Sequence, residues 1–295
     1  MITYENYLEK EKYSKSTIEN YTKQASVFIK WCKRNHTSPE LVDYNTFLKH
    51  IKYLQRKNVA KKTVSHKIGA IKIYFKYLIR ESYRIDNPVE NIAIKGVKRI
   101  INYNLLEADE LEDLYYSYQS ETVVDAYHKL CAKRNKIIIG LMVYQGLNTN
   151  ELTHLELENL ELYKGKIYVK SGVRSNARTL ELKPWQVIEL LEYVKDVREK
   201  ILIRNNLESL RLFVPSNARL GNTIYLIVKK LKSINQKVEN THQIRASVIT
   251  NWLKQYNLRE VQVLAGHKFI SSTERYLQDD LESLHEIVNN FHPLR

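Results

Sequence analysis

The 295-residue chain is short of the residues that break, cross-link or anchor a polypeptide. It has 8 glycines and 5 prolines, about a third of ordinary usage. So few chain-breakers disfavour a turn-rich all-β sandwich or barrel and favour long helices. Two cysteines, Cys32 and Cys131, exclude a disulfide scaffold and any zinc centre needing several thiolates. Both fall on or beside apolar helical stripes and read as inert packing residues. The longest uncharged apolar stretch, Ile137 to Gly146, is too short to span a bilayer, and no secretory leader is read ahead of it. A cytoplasmic protein without a membrane partner is therefore expected. What is present is ordinary for a globular chain with a sizeable core: 43% apolar and 27% charged residues.

Acid is also missing, locally. The net charge is +14, and residues 1–103 hold 21 Lys/Arg against 9 Asp/Glu, whereas residues 104–295 hold 26 against 24. Residues 44–80 contain no acid and ten bases: Lys49, Lys52, Arg56, Lys57, Lys61, Lys62, Lys67, Lys72, Lys76 and Arg80. Such a one-sided field suits a polyanion, and phosphate backbone neutralises it while releasing counterions. A membrane surface and a merely solvated helix face are the rival readings.

The amino-terminal third reads as helical. Ser16-Thr17-Ile18-Glu19 has the form of a capping box, followed by Ile18, Tyr21, Ala25, Phe28 and Cys32 at helical spacing. Further helices are expected from Asn45 to Arg56 and from Thr63 to Arg80, each with one apolar side and lysines over much of the rest. Asn87-Pro88 is read as the stop of the third helix, and Val89 to Asn104 as an interdomain linker. Beyond it, Glu107 to Glu110 suits a helix start, and an apolar helix is expected from Tyr127 to Gly146, then another from Glu151 to Leu157. Between Gly165 and Leu182 the hydrophobic period switches to two, around a Ser171–Asn176 turn containing Gly172, which reads as a β-hairpin. Helices are expected again from Pro184 to Ile203, Asn222 to Lys237, His242 to Gln255, Arg259 to Leu264 and Ser272 to Asn289. The fold expected is mainly α, a helical domain over residues 1–100 and a mostly helical domain with a small antiparallel sheet over residues 104–295.

Near the carboxyl end, His242 and Arg245 stand three apart at a helix start and so share a face. Gly266-His267 ends a short helix, Gly266 being able to take the left-handed cap conformation, and Tyr276 follows nine residues after His267. A guanidinium can clamp two phosphate oxygens, an imidazole can move a proton near neutral pH, and an assisted phenol can act as a nucleophile. Singly, each residue has an ordinary reading. There are 21 tyrosines, the histidines could be caps or surface residues, and Arg245 could pair with Glu260 or Glu274.

In this order and at these intervals, His242-x-x-Arg245, Gly266-His267 and Tyr276 resemble the active-site boxes of the tyrosine recombinases, the phage-integrase family. Tyr144-Gln145-Gly146-Leu147 with Glu151-Leu152 resembles the family's first box, Gly165 to Leu182 its active-site hairpin, and Ile68 to Pro88 the end of its core-binding domain. The resemblance implies a SAM-like core-binding domain and a catalytic domain forming a clamp around double-stranded DNA. It also implies a homo-oligomer, a tetramer on two DNA sites. By the same resemblance, Tyr276 would attack the scissile phosphate, Arg245 would hold its non-bridging oxygens, and His242 and His267 would assist. Neither cofactor, metal nor ATP is implied; the sequence carries no GxxxxGK loop and no carboxylate cluster suited to two metals. The grip on DNA would fall to Lys49, Lys52, Arg56, Lys57, Lys61, Lys62, Lys67, Lys72 and Lys76, with Arg178 from the hairpin.

Two positions depart from the pattern. Asn148 stands where the family's first arginine follows the Gly-Leu of the first box, and Val173 follows the hairpin glycine where a lysine is usual. Losing a charge-assisted contact of this kind typically costs ~3 kcal/mol or more in the transition state. Either another cation (Arg174, Arg178, Lys170 or Arg134) fills the vacancy, or the chain is a weak or inactive DNA-binding relative acting as an accessory protein. A topoisomerase and a basic RNA-binding protein are the remaining alternatives. The apolar residues Leu281, Leu284, Val288 and Phe291 are read either as self-packing core or as a stripe that docks on a neighbouring protomer.

Overall fold

The computed structural model describes residues 2–96, 104–118, 125–215 and 219–277. The chain divides into two compact units, Met1–Arg99 and Ile100–Arg295.

The first unit is built from α1 (Tyr4–Lys10), α2 (Lys15–Arg34), α3 (Tyr44–Arg56) and α4 (Lys61–Arg80). The apolar spacing of α2 to α4 turns Phe28, Cys32, Phe47, Ile51, Ile71 and Phe75 into one core. Burial pushes the Cys32 thiol up to about 12, which leaves it an inert packing group. Two sequence expectations are corrected. The cap of α2 is Ser14, whose side chain accepts from the Thr17 amide at 3.3 Å, so Ser16 lies inside the helix. The last of these helices ends at Arg80, as expected, but the turn that follows it is made by Ser82, left-handed at φ 61°, and Asn87-Pro88 is not its stop. Asn87 instead fastens the segment that follows, donating to Glu90 Oε2 at 2.7 Å and to the Lys72 carbonyl at 3.3 Å.

The second unit contains α5 (Ala108–Tyr116), α6 (Ala126–Val143), α7 (Thr149–His154), a sheet of β1 (Leu160–Glu161), β2 (Lys166–Val169) and β3 (Arg178–Glu181), then α8 (Pro184–Glu192), α9 (Arg198–Asn205), α10 (Leu220–Ile234), α11 (Thr241–Leu253) and α12 (Leu258–Ala265). Residues 271–277 are helical. Ile137 to Val143 of α6 are all buried, because the helix lies among α5, α9, α10 and α11 and is covered on every side. The expected single helix from Pro184 to Ile203 is α8 and α9 joined through a π-helical turn, Tyr193–Val197. The sheet is antiparallel in the order β1-β2-β3, one short strand more than the expected hairpin. Along β2 and β3, Ile167, Val169, Arg178 and Leu180 are buried. Strand alternation therefore carries an arginine into the interior beside three aliphatic residues. Among the described residues no helix is long and apolar enough to cross a membrane. The stripe Leu281, Leu284, Val288 and Phe291 lies outside the described residues.

Candidate active site

Three elements of the second unit bring charge inward to one point. Asn240 caps α11, accepting from the amides of His242 and Gln243 at 3.0 Å each, which fixes the first turn of the helix, just ahead of Arg245. Arg245 is buried and donates to the carbonyls of Gly146 and Ala265 and to Glu151 Oε2, the last at 3.2 Å. Gly146 has a φ of 59°, which an L side chain adopts only under strain. Glu151 lies in the first turn of α7, where Asn148 is the cap: Asn148 Oδ1 accepts from the Glu151 amide and Glu151 Oε2 accepts from the Asn148 amide, both at 3.0 Å. The other oxygen of Glu151 accepts from Arg178 Nη1 of β3 at 2.8 Å. One carboxylate thus ties two buried guanidinium groups together. Burial opposes its charge, but the Arg178 hydrogen bond and the fields of Arg245 and Arg178 outweigh burial and hold its pKa below the ordinary carboxylate value. Desolvation lowers the pKa of Arg245, yet a guanidinium remains charged at any physiological pH.

Gly266 closes α12 in the left-handed conformation, φ 69°. A Cβ there would stand 2.6 Å from Arg178 Nη1 and 3.0 Å from the Asn176 carbonyl oxygen, so no other residue fits without displacing the arginine. The Asn176 amide donates to the Gly266 carbonyl at 2.8 Å, and Ser175 pairs with His267 as an isolated antiparallel bridge, clasping the hairpin turn to the end of α12. His267 Nδ1 is 2.9 Å from Thr273 Oγ1, and its ring stacks on Tyr276 with centroids 5.9 Å apart and planes 13° from parallel. Burial, then the charges of Arg245, Arg178 and Arg275, lower the His267 pKa to about 4, so the imidazole is neutral at neutral pH. Tyr276 is half-buried beside Ile249, Val261 and Ala265.

The structure therefore brings together Arg245, His267 and Tyr276. His242 is exposed, one turn ahead of Arg245. Arg245 pairs with Glu151, and no pairing with Glu260 or Glu274 is seen for it among the described residues. Lys170 is held by Glu156 and Glu158 at 2.5 and 2.7 Å. It shares the lining of a cavity of about 360 Å³ with Glu151, Gly172, Val173 and Arg211. Arg174 is exposed on the hairpin turn. Arg134 is buried elsewhere, with Nη1 donating to the Val214 carbonyl at 2.6 Å. The sequence reading named Glu151 only as part of a motif and missed its bridging position; its place three residues after a helix-capping Asn148 was the available signal.

In the first unit, Lys49, Lys52, Arg56, Lys57, Lys61 and Lys62 are exposed. The first three line a hollow of about 450 Å³ with Arg34, Trp31 and Tyr53, and Lys57 Nζ lies 4.9 Å from the centre of the Tyr53 ring. Lys67 is half-buried. Lys72 donates to the Glu90 carbonyl at 2.6 Å and Lys76 pairs with the Glu90 carboxylate at 3.5 Å, so these two also serve the chain's own fold.

Residues 104–282 match the phage integrase family, and residues 3–85 match the phage integrase N-terminal SAM-like domain. The tyrosine recombinase XerC of Bacillus pumilus is 27% identical over 297 residues, covering 97% of this chain and 94% of that relative. Tyrosine recombinase XerD of Staphylococcus aureus is 25% identical over 296 residues, covering 98% and 97%. Among solved structures, XerH recombinase bound to palindromic difH in a post-cleavage complex superposes with a TM-score of 0.67 at 19% identity, over 92% of this chain and 78% of that one. A lambda integrase tetramer bound to a Holliday junction gives 0.63 at 15% identity, over 92% and 74%. With its larger unit matched from end to end of the described residues, the chain belongs to the phage integrase family, the tyrosine recombinases.

Proposed function

We propose that this chain breaks and rejoins double-stranded DNA at specific sites through a covalent phosphotyrosyl intermediate. Tyr276 Oη attacks the scissile phosphorus; the Oη–P bond forms as the P–O5′ bond breaks, the phenolic proton passes to a base, and the departing O5′ takes up a proton. The products are a 3′-phosphotyrosyl ester and a free 5′-hydroxyl. The ester keeps the energy of the broken diester, so attack by a 5′-hydroxyl of the same or another strand reverses the step and seals the DNA. Arg245 holds a non-bridging oxygen and balances the charge that develops on it. Neutral His267 positions the phenol by stacking. His242 adds a hydrogen bond to the phosphate from the same helix face as Arg245. Lys49, Lys52, Arg56 and their neighbours hold the duplex backbone.

The observation that carries this reading is the stacked His267–Tyr276 pair in the turn that adjoins the buried Arg245–Glu151–Arg178 cluster. One feature favours a rival: Asn148 is uncharged and its side-chain oxygen is engaged in capping α7, as suits a DNA-binding accessory that does not cut. The two readings separate on a nicked duplex whose cleaved end diffuses away, built on a site selected by the full chain from random-sequence DNA. A covalent protein–DNA adduct lost in Tyr276→Phe supports strand transfer; binding without any adduct supports the accessory. We extend the reading to a homotetramer on two DNA sites. The fold shared with the lambda integrase tetramer supports it, and sedimentation of the complex on a four-way junction tests it.

A further inference from the structure

We propose that Arg178, at the start of β3, is the second phosphate-binding guanidinium of this chain and stands in for the arginine that Asn148 replaces. The proposal rests on the strand-transfer reading above and adds to it an arginine of β3, on a hairpin where the family pattern has a lysine in the turn.

Arg178 has 1% of its side chain exposed, and its Nη1 donates to Glu151. Its Nε and Nη2 are buried and have no hydrogen-bond partner among the described residues. These two atoms lie on the same edge of a guanidinium, with N–H bonds nearly parallel, and form the fork that receives two oxygens of one phosphate. Buried donors are nearly always satisfied, so an idle pair on a fully buried cation calls for an acceptor that arrives later. The charge count agrees. Two guanidinium groups share the single Glu151 carboxylate, leaving one uncompensated positive charge in the interior, and one phosphodiester carries one negative charge.

Position agrees as well. Nη1 fills the space where a Cβ on Gly266 would stand, and the next residue is His267, on whose ring Tyr276 is stacked. Of the other cations weighed for the vacancy, Lys170 is engaged by Glu156 and Glu158 and Arg134 by the Val214 carbonyl, while Arg174 is exposed on the turn. For a phosphate to reach the fork, the clasp between Asn176 and Gly266 must loosen and the hairpin turn must shift. DNA binding then does work on the hairpin before Tyr276 can react.

The test compares the full chain with Arg178→Ala, Arg178→Gln and Arg178→Lys on the selected nicked duplex, with either a phosphodiester or a neutral methylphosphonate at the scissile position. If Arg178 neutralises the phosphate, Arg178→Ala and Arg178→Gln lose about 100-fold or more in adduct formation on the diester. On the methylphosphonate, where there is no charge to balance, the loss shrinks to about a tenth of that, and Arg178→Lys falls between. An equal loss on both substrates assigns Arg178 to packing alone and overturns the proposal, as does no loss on either. A second readout needs no cleavage: inorganic phosphate should raise the melting temperature of the full chain more than that of Arg178→Gln, and equal shifts overturn the proposal. A phosphate shift that depends on Arg178, in a chain that forms no adduct, would remove the strand-transfer reading and leave the anion site standing.

Discussion

Gly266 shows at the residue scale how little freedom the site leaves. Its φ of 69° and the 2.6 Å between a built Cβ and Arg178 Nη1 are separate demands, one of backbone and one of space. Gly266→Ala should cost about 1–3 kcal/mol of stability and depress adduct formation beyond what its melting temperature explains, because the strain is relieved by moving Arg178. Cleavage and calorimetry on the same preparation check this. His50 offers a second prediction. It is buried against Trp31, Phe28 and Phe47, with Nδ1 unpartnered, and burial followed by the charge of Lys67 lowers its pKa to about 4 from 6.5. The unfolded chain takes up a proton near pH 6.5 that the folded chain refuses until about pH 4. Stability contributed by keeping His50 neutral is therefore complete above that window and declines as the pH falls through it, by at most about 3 kcal/mol. Denaturant melts from pH 7 to pH 4 should show the decline, which His267 shares because its pKa is lowered in the same way, and His50→Phe should remove about half of it.

Helix ends give the sharpest comparison at the scale of elements. Ser14 accepts from the Thr17 amide, whereas Ser16 is inside α2. Ser14→Ala should lower stability by about 1 kcal/mol and Ser16→Ala by much less, a difference read by chemical denaturation. The helices with long apolar stripes were legible from spacing: α3 and α4 begin one and two residues before their expected starts and end where expected. The seven residues of α1 and the two of β1 carry too few repeats for a period to register, and both were missed. The π-helical turn between α8 and α9 leaves the apolar pattern almost unchanged, so the two segments read as one. The hairpin was legible, but the role of Arg178 was not. Alternation places Arg178 inward with Leu180 and Val169, yet an arginine in an otherwise apolar row reads as surface until Glu151, 27 residues away, is seen beside it.

Across the whole molecule, charge and chemistry are divided between the two units. The exposed bases of α3 and the loop after it lie in the first unit, and the Arg245, His267 and Tyr276 cluster lies in the second. Replacing Lys49, Lys52 and Arg56 together by alanine should reduce the slope of log affinity against log salt by about 2–3, as measured by fluorescence anisotropy. Once the DNA concentration is raised to restore occupancy, the adduct should form at its usual rate. Composition and charge marked the amino-terminal third as the basic part of the chain, and the order of His242, Arg245, His267 and Tyr276 pointed to the family. Neither could show that Glu151, Arg178 and Arg245 meet, because that depends on side chains converging from α7, β3 and α11.

The reciprocal bonds between Asn148 and Glu151 bear on how such a site can change over generations. An arginine at 148 has no short oxygen to offer the Glu151 amide, so Asn148→Arg would remove one of the two reciprocal bonds and bring a third cation to one acid. Placing the family's customary arginine at 148 therefore calls for a second change at Arg178, so that Glu151 again faces two cations.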